Sequence, residues 1–397
     1  MQTDNFDVVV VGGGPAGATA ADDLARRGLS VALLDRAGRI KPCGGAIPPQ
    51  AMTEFDLPES LLVARIRSAR MVSPTAVSVD MHIEGGYVGM VDRESFDEWL
   101  RERAAAHGAV RLTGEFEGLQ YLDDGVIELS YDVRGADPAS VTRKVTTRAV
   151  IGADGARSAV ARQCIPDAGR VPYVAAYHEI VRSPATGADY DGQRCDVYYQ
   201  GKLSPDFYAW VFPHGETVSV GVGSALKGFS LRNAVADLRN LTGLDLSDTI
   251  RKEGAPIPLR PLRRWDDGRG VVLAGDAAGV VAPASGEGIY YALAGGRLAA
   301  EAVIGLLETG DPGALKSARR RFMRAHGRVF WVLGLLQRFW YSSDARRERF
   351  VSMCRDPDVQ HLTWQAYMYK KLVRARPLAP RRIFFKDLGH LLGVVRA

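Results

Sequence analysis

Cysteine is scarce in these 397 residues: there are four, at positions 43, 164, 195 and 354, far apart, with no CxxC pair and no histidine at ligand spacing. That scarcity excludes a disulfide framework, indicates no zinc or other metal centre, and fits a reducing cytoplasm. Missing too is any run of about 18 uninterrupted apolar residues. The best stretch, 330–341, is short and carries Gln337 and Arg338, so no membrane span is expected. The first residues lack the basic start, apolar stretch and cleavage site of a secretory signal, and the strand-like Val8-Val9-Val10-Val11 follows almost at once. No low-complexity tract occurs. With 46% hydrophobic and 24% charged residues the chain can bury a substantial core. At roughly 100 to 200 residues per domain, its length points to two or three packed units.

Charge is present but unevenly placed. The net +5 hides a tail, residues 314–397, with 19 Lys+Arg against 5 Asp+Glu, which leaves 32 against 41 for the first 313 residues. The tail is also rich in Trp, Phe, Tyr and Leu, a combination suited to an anionic membrane surface, nucleic acid or an acidic partner. No nucleic-acid recognition motif accompanies the charge, so nucleic acid is not expected.

The first motif lies in a βαβ unit: a strand over 7–11, a helix over 15–27 and a second strand ending at Asp35. Between strand and helix, Gly12, Gly14 and Gly17 occupy the positions of GxGxxG. Gly12 makes the tight turn, Gly14 lets a pyrophosphate approach the helix N-terminus, and Gly17 lets helix and strand pack closely. Asp35, 18 residues after Gly17, stands where a carboxylate accepts from a ribose. Two more strand-to-turn segments repeat the chemistry, Gly152-Ala153-Asp154-Gly155 and Gly275-Asp276, the latter followed by Gly286, Glu287 and Gly288 before an alanine-rich helix. Backbone amides there donate to phosphate or polyol oxygens while the acid accepts from hydroxyls.

Together these segments resemble the flavoprotein hydroxylase and reductase superfamily over residues 1 to about 310. Asp92-Arg93-Glu94-Ser95-Phe96-Asp97 is similar to that family's helix start, with Arg93 near the flavin diphosphate and Asp92 as a helix cap. The resemblance implies an α/β fold: a Rossmann-type FAD domain (1–75, 92–170 and 256–315), an inserted antiparallel β-sheet substrate domain (76–91 and 171–255) and a basic helical C-terminal region (316–397). It implies FAD contacts from Gly12, Gly14, Ala16, Gly17, Asp35, Arg36, Cys43, Gly44, Gly45, Arg93, Asp154, Gly155, Gly275, Asp276, Gly286, Gly288 and Ile289.

Two further stretches narrow the chemistry. Lys41-Pro42-Cys43-Gly44-Gly45-Ala46-Ile47-Pro48-Pro49 puts a cysteine between a stiffening proline and two glycines that permit close approach to a planar ring. Tyr208-Ala209-Trp210-Val211-Phe212-Pro213 alternates with period two, so Tyr208, Trp210 and Phe212 share one strand face. That face lines a hydrophobic tunnel or forms an aromatic core stripe. Both stretches resemble the geranylgeranyl reductases of chlorophyll and bacteriochlorophyll synthesis, the bacteriochlorophyll branch most nearly.

The resemblance implies stepwise reduction of three isolated double bonds in a geranylgeranyl chain, carried by the free diphosphate or by a prenylated tetrapyrrole, with NADPH reducing the FAD. An isolated alkene has no carbonyl to polarise, so a proton donor is needed, and Cys43 is the candidate catalytic acid. Tyr208, Trp210 and Phe212 are the candidate substrate residues. His178, alone beside Tyr177, reads as structural. The expected partners are an anionic membrane surface and the pigment-synthesis machinery, with a cytoplasmic location at the photosynthetic inner membrane. The alternatives are an FAD-dependent aromatic monooxygenase or halogenase-like enzyme, whose Trp-x-Trp-x-Ile-Pro segment differs at Tyr208 and Phe212, and a non-catalytic prenyl escort protein.

Overall fold

The computed structural model describes residues 4–36, 40–133, 141–187 and 190–370. These fall into two compact units. One comprises Met1–Lys41, Arg93–Tyr173 and Pro256–Phe330; the other comprises Pro42–Asp92, Val174–Ala255 and Trp331–Ala397.

In the first unit, Val8 to Val11 are buried on both faces, the pattern of a central parallel strand. The strand Asp4–Val11 pairs in parallel with Val31–Asp35 on one side and Val141–Gly152 on the other. Val110–Thr113 extends the sheet beyond Val31–Asp35, and Val271–Leu273 lies parallel to the last three residues of Val141–Gly152. The earlier half of that long strand turns back through Ile127–Val133 and Glu115–Tyr121, an antiparallel meander that completes the seven strands. The four motif-bearing strands Asp4–Val11, Val31–Asp35, Val141–Gly152 and Val271–Leu273, parallel to one another as Val110–Thr113 is to Val31–Asp35, therefore end along one edge, where open α/β sheets bind ligands.

Helix Ile289–Thr309 is long and apolar enough to cross a membrane by length and composition, yet its most apolar window is 72% buried within the fold. It packs on helix Pro15–Ala25 so closely that a side chain at Gly296 would overlap the Ala16 carbonyl. It is a core helix.

The second unit holds a seven-stranded sheet in the order Thr249–Pro258, Tyr173–Arg182, Thr217–Ser224, Ala209–His214, Arg194–Tyr198, Ser68–Val72, Ser78–His82. From Tyr173–Arg182 onward its pairings are antiparallel except Arg194–Tyr198 with Ser68–Val72, which is parallel. A three-stranded sheet joins Ala46–Ile47, Val88–Val91 and Leu62–Ile66. Helix Leu231–Leu241, capped by the Ser230 hydroxyl on the Asn233 amide, buries Ala234, Val235 and Leu238 against Val218, Val220 and Val222.

The division differs from the expected domains in two places. Residues 42–75, expected with the FAD domain, belong to the sheet unit, because Ser68–Val72 pairs with a strand more than a hundred residues later. The described part of the basic region, 316–370, forms no unit of its own. Helix Lys316–Trp340 starts in the first unit, where Phe322 and Phe330 pack on Trp265 and Tyr291, and residues 331–370 group with the sheet unit. There Tyr341 packs against Tyr199 and Phe207, and buried Arg347 donates to the Pro205 and Tyr341 carbonyls. Residues 371–397, with Phe384 and Phe385, lie outside the described residues.

Candidate active site

Three motifs far apart in sequence meet at the strand ends of the first unit. Gly12 adopts φ +107°, and a side chain there would strike the Ala153 carbonyl, so the first turn touches the second motif. Gly17 has no room either, since a Cβ would overlap the Gly12 carbonyl. Gly275, at φ +62°, faces Ala16, whose Cβ stands 2.8 Å from where its own would be. Gly286 is also left-handed, at φ +66°. Gly288 begins helix Ile289–Thr309, and no side chain caps that helix. Gly14 is different: a Cβ there would meet no atom within 4 Å. It begins helix Pro15–Ala25, whose first amides have no side-chain cap. Free amides, a positive helix end and open space above a glycine fit the diphosphate of a dinucleotide such as FAD.

The acids of this edge are held by partners that the sequence did not announce. Asp35 faces Arg101 at 3.3 Å, and the same guanidinium nitrogen donates to the Gly13 carbonyl at 3.2 Å. The nearly buried carboxylate of Asp276 pairs with Lys41. Asp154 turns one oxygen to the Ser158 hydroxyl and the other to the Ala159 amide at 2.6 Å and the Val160 amide at 3.2 Å. Burial pushes its pKa up, while these donors pull it back. Its carboxylate thus caps helix Ala159–Cys164, leaving the backbone of Gly155, at φ +86°, as the open part of that motif. A cleft of about 140 Å³ beside these turns is lined by Arg157, Ser158, Arg162, Tyr173 and Asp276 among others.

Two expected cofactor residues have their charges engaged elsewhere. Arg36 pairs with Glu115 at 2.9 Å, both partly exposed. Arg93 is 5% exposed and grips Asp97 with two hydrogen bonds, at 2.9 and 2.7 Å. Asp92, expected as a helix cap, lies 3.6 Å from Arg251.

The second unit gathers the remaining candidates. Tyr208, Trp210 and Phe212 form one row, with ring centroids 5.9 and 6.1 Å apart in succession. Tyr208 is buried, and that burial, reinforced by Tyr341 and Cys43, raises its pKa and keeps the phenol neutral. The cysteine loop lies against this row. A Cβ on Gly44 would stand 3.2 Å from the Phe212 ring, and one on Gly45, at φ +70°, would stand 2.5 Å from His214 Nε2. Cys43 is a half-buried free thiol whose sulfur accepts from the Gly45 amide at 3.4 Å. His214, which sequence reasoning passed over, sits beneath the loop with Nδ1 2.9 Å from the Phe212 carbonyl. Burial lowers its pKa. Its only sequence signal was its place two residues after Phe212 on the same strand face.

The chain matches the family described as FAD binding domain over residues 5–326. It is 58% identical over 392 residues to the geranylgeranyl diphosphate reductase of Rhodobacter capsulatus, covering 98% of each chain. It is 38% identical to the geranylgeranyl diphosphate reductase of Synechocystis, covering 97% of each. A digeranylgeranylglycerophospholipid reductase of Methanosarcina acetivorans is 31% identical over 78% of this chain and 77% of its own. Among solved structures, a geranylgeranyl bacteriochlorophyll reductase-like protein of Thermoplasma acidophilum superposes with TM-score 0.80 at 23% identity, over 94% of this chain and 98% of that one. A flavin-dependent brominase superposes with TM-score 0.73 at 16% identity, over 97% and 99%. At those identities the structural likenesses speak to the fold alone.

Proposed function

The chain belongs to the FAD-dependent geranylgeranyl reductases, and from that premise we propose that it saturates three double bonds of a geranylgeranyl chain in turn, to phytyl, with NADPH as the electron donor. The observation that carries this reading is the Cys43-Gly44-Gly45 loop seated on the Tyr208–Trp210–Phe212 row, which joins a proton donor to an apolar aromatic wall.

Gly12, Gly14 and Gly17 with the amides of Ala16 and Gly17 would hold the diphosphate of FAD; Asp35, oriented by Arg101, would accept from the ribose; the Gly275-Asp276 turn, with Lys41, would hold the remaining polyol and phosphate oxygens. Bound there and reduced, FAD supplies a hydride. The chain's own contribution is the proton. Protonation of one alkene carbon would leave positive charge developing at the tertiary carbon for a hydride to quench; hydride attack without the proton would leave an unstabilised carbanion. The Cys43 thiol gives that proton and is reprotonated from water before the next bond. The faces of Trp210 and Phe212 attract the developing cation and exclude water.

The substrate is the free diphosphate or the chain esterified to a tetrapyrrole, delivered from an anionic inner-membrane surface. Mass spectrometry of products from the purified yellow protein, NADPH and each prenyl donor tests the reading. Sequential gains of two hydrogens per bond are expected. Hydroxylated or halogenated products, or prenyl binding without turnover, would overturn it.

A further inference from the structure

His178, read from sequence as structural, occupies the middle of a buried hydrogen-bond chain that reaches the aromatic row. Its Nδ1 lies 2.9 Å from the Ser219 hydroxyl and its Nε2 3.0 Å from Glu253 Oε2. The Trp210 indole N–H donates to the same Ser219 oxygen at 3.1 Å. Ser219 is fully buried, His178 is 3% exposed and Trp210 6%. Glu253 is anchored in turn by Arg251 at 3.0 Å, which faces Asp92.

The backbone explains how an indole reaches that hydroxyl. His178 and Trp210 both stand directly opposite Gly221 on the intervening strand. A Cβ on Gly221 would overlap the indole and come within 2.7 Å of the His178 Cβ. The missing side chain is therefore the space in which Trp210 lies across the sheet, tilted 46° to the imidazole with centroids 6.3 Å apart.

The donor inventory fixes the direction of the chain. An indole N–H only donates, so it takes a lone pair of Ser219. The hydroxyl keeps one proton, for which His178 Nδ1 is the acceptor at hand in the tautomer whose Nε2–H goes to Glu253. Ser219 and His178 each have a partner on either side, so the chain runs unbroken from the Trp210 indole to the Glu253 carboxylate.

We propose that His178, with Ser219 and Glu253, is a positioning residue for the reduction step: it sets the plane of the Trp210 indole. This rests on the reading of Trp210 as part of the prenyl-binding wall. A cation is attracted by the ring face and not by its edge, so losing the orientation slows alkene reduction while leaving flavin loading and flavin reduction intact.

The test uses full-length holoenzyme labelled with ¹⁵N-tryptophan, the Trp210 indole signal being assigned by its loss in Trp210→Phe. In His178→Phe and in Ser219→Ala, the latter changing a single buried oxygen, that signal should shift and its hydrogen exchange should accelerate. Prenyl turnover should fall about tenfold, the scale of one buried hydrogen bond, with partly reduced chains accumulating and the rate of flavin reduction by NADPH unchanged. Glu253→Gln, which keeps an acceptor for Nε2–H, should retain the wild-type products; Glu253→Ala should not. An unmoved indole signal in Ser219→Ala overturns the hydrogen-bond chain. A moved signal with wild-type products overturns the positioning role while leaving prenyl reduction standing. If wild-type enzyme reduces no prenyl donor, the functional reading fails, and the indole signal still decides whether the chain exists.

Discussion

Gly14 and Gly17 sit three residues apart and answer to different demands. Gly17 is required by the fold, since any side chain would overlap the Gly12 carbonyl, whereas the space above Gly14 is empty of protein. Gly14→Val should therefore fold with a wild-type circular dichroism spectrum and purify colourless, its methyls occupying the diphosphate position. Gly17→Ala should lose the fold itself. A yellow, folded Gly14→Val protein with wild-type FAD affinity would refute the phosphate assignment. Cys43 admits a similar separation. Its sulfur both accepts from the Gly45 amide and is proposed to give a proton. Cys43→Ala and Cys43→Ser should each keep FAD and its reduction by NADPH, while prenyl reduction falls about a hundredfold or more in both, the range of a lost general acid. Serine keeps the loop's hydrogen bond, so activity restored by serine would assign Cys43 to loop shape alone. The three glycines were legible in the sequence because backbone approach admits no other residue. Arg101 and Lys41 were not, because each pairs with a residue scores to hundreds of positions away, and His214 was not, because what packs on it is Gly45, far off in sequence; none of the three carries a local pattern.

The strand Ala209–His214 was legible as an element, since its alternation sorts Trp210 and Phe212 onto one face, yet its far end held the surprise. His214 is half-buried beneath Gly45, and its removal from solvent lowers its pKa from the ordinary 6.5. The unfolded chain thus holds a proton there that the folded chain refuses. Between the folded value and 6.5 the unfolded state binds more protons, so this group's contribution to stability is full above that window and is lost as pH falls through it. Urea midpoints measured from about pH 7.5 to 5.5 should decline less steeply in His214→Asn, which keeps an N–H at the Nδ1 position for the Phe212 carbonyl and cannot titrate. Parallel curves would show that His214 contributes nothing to the acid limb. The strands Leu62–Ile66 and Ser68–Val72 escaped notice for the opposite reason. They are short, and Ser68–Val72 gains its place only by pairing with Arg194–Tyr198 and Ser78–His82, a tertiary choice that local composition does not encode.

At the scale of the molecule, a sequence that scatters its motifs from Gly12 to Asp276 makes one site because four parallel strands end along a single sheet edge; the topology, and not the spacing, unites them. The basic tail is partly redrawn by the same folding. Phe330, Trp340 and Tyr341, which in sequence look like membrane anchors, are at most 8% exposed and belong to the cores of their units. What remains at the surface of helix Lys316–Trp340 is Trp331 at 69%, Leu335 at 54% and Leu336 at 38%, with exposed Arg338 beyond them. Residues four apart on a helix share a face, so Trp331 and Leu335 present an apolar patch to the solvent, with exposed Leu336 next in sequence, within a segment carrying 19 basic residues against 5 acidic ones. A patch of this kind inserts into the interface while nearby basic residues add about 1 kcal/mol each at an anionic surface. The full chain should therefore co-sediment with anionic vesicles at low salt and be released as salt screens the charge. The double variant Trp331→Ala, Leu335→Ala should weaken that binding with little change in melting temperature, because neither side chain is in a core. Equal recovery with neutral and anionic vesicles, or a double variant that binds as well as wild type, would place the membrane contact elsewhere or remove it altogether.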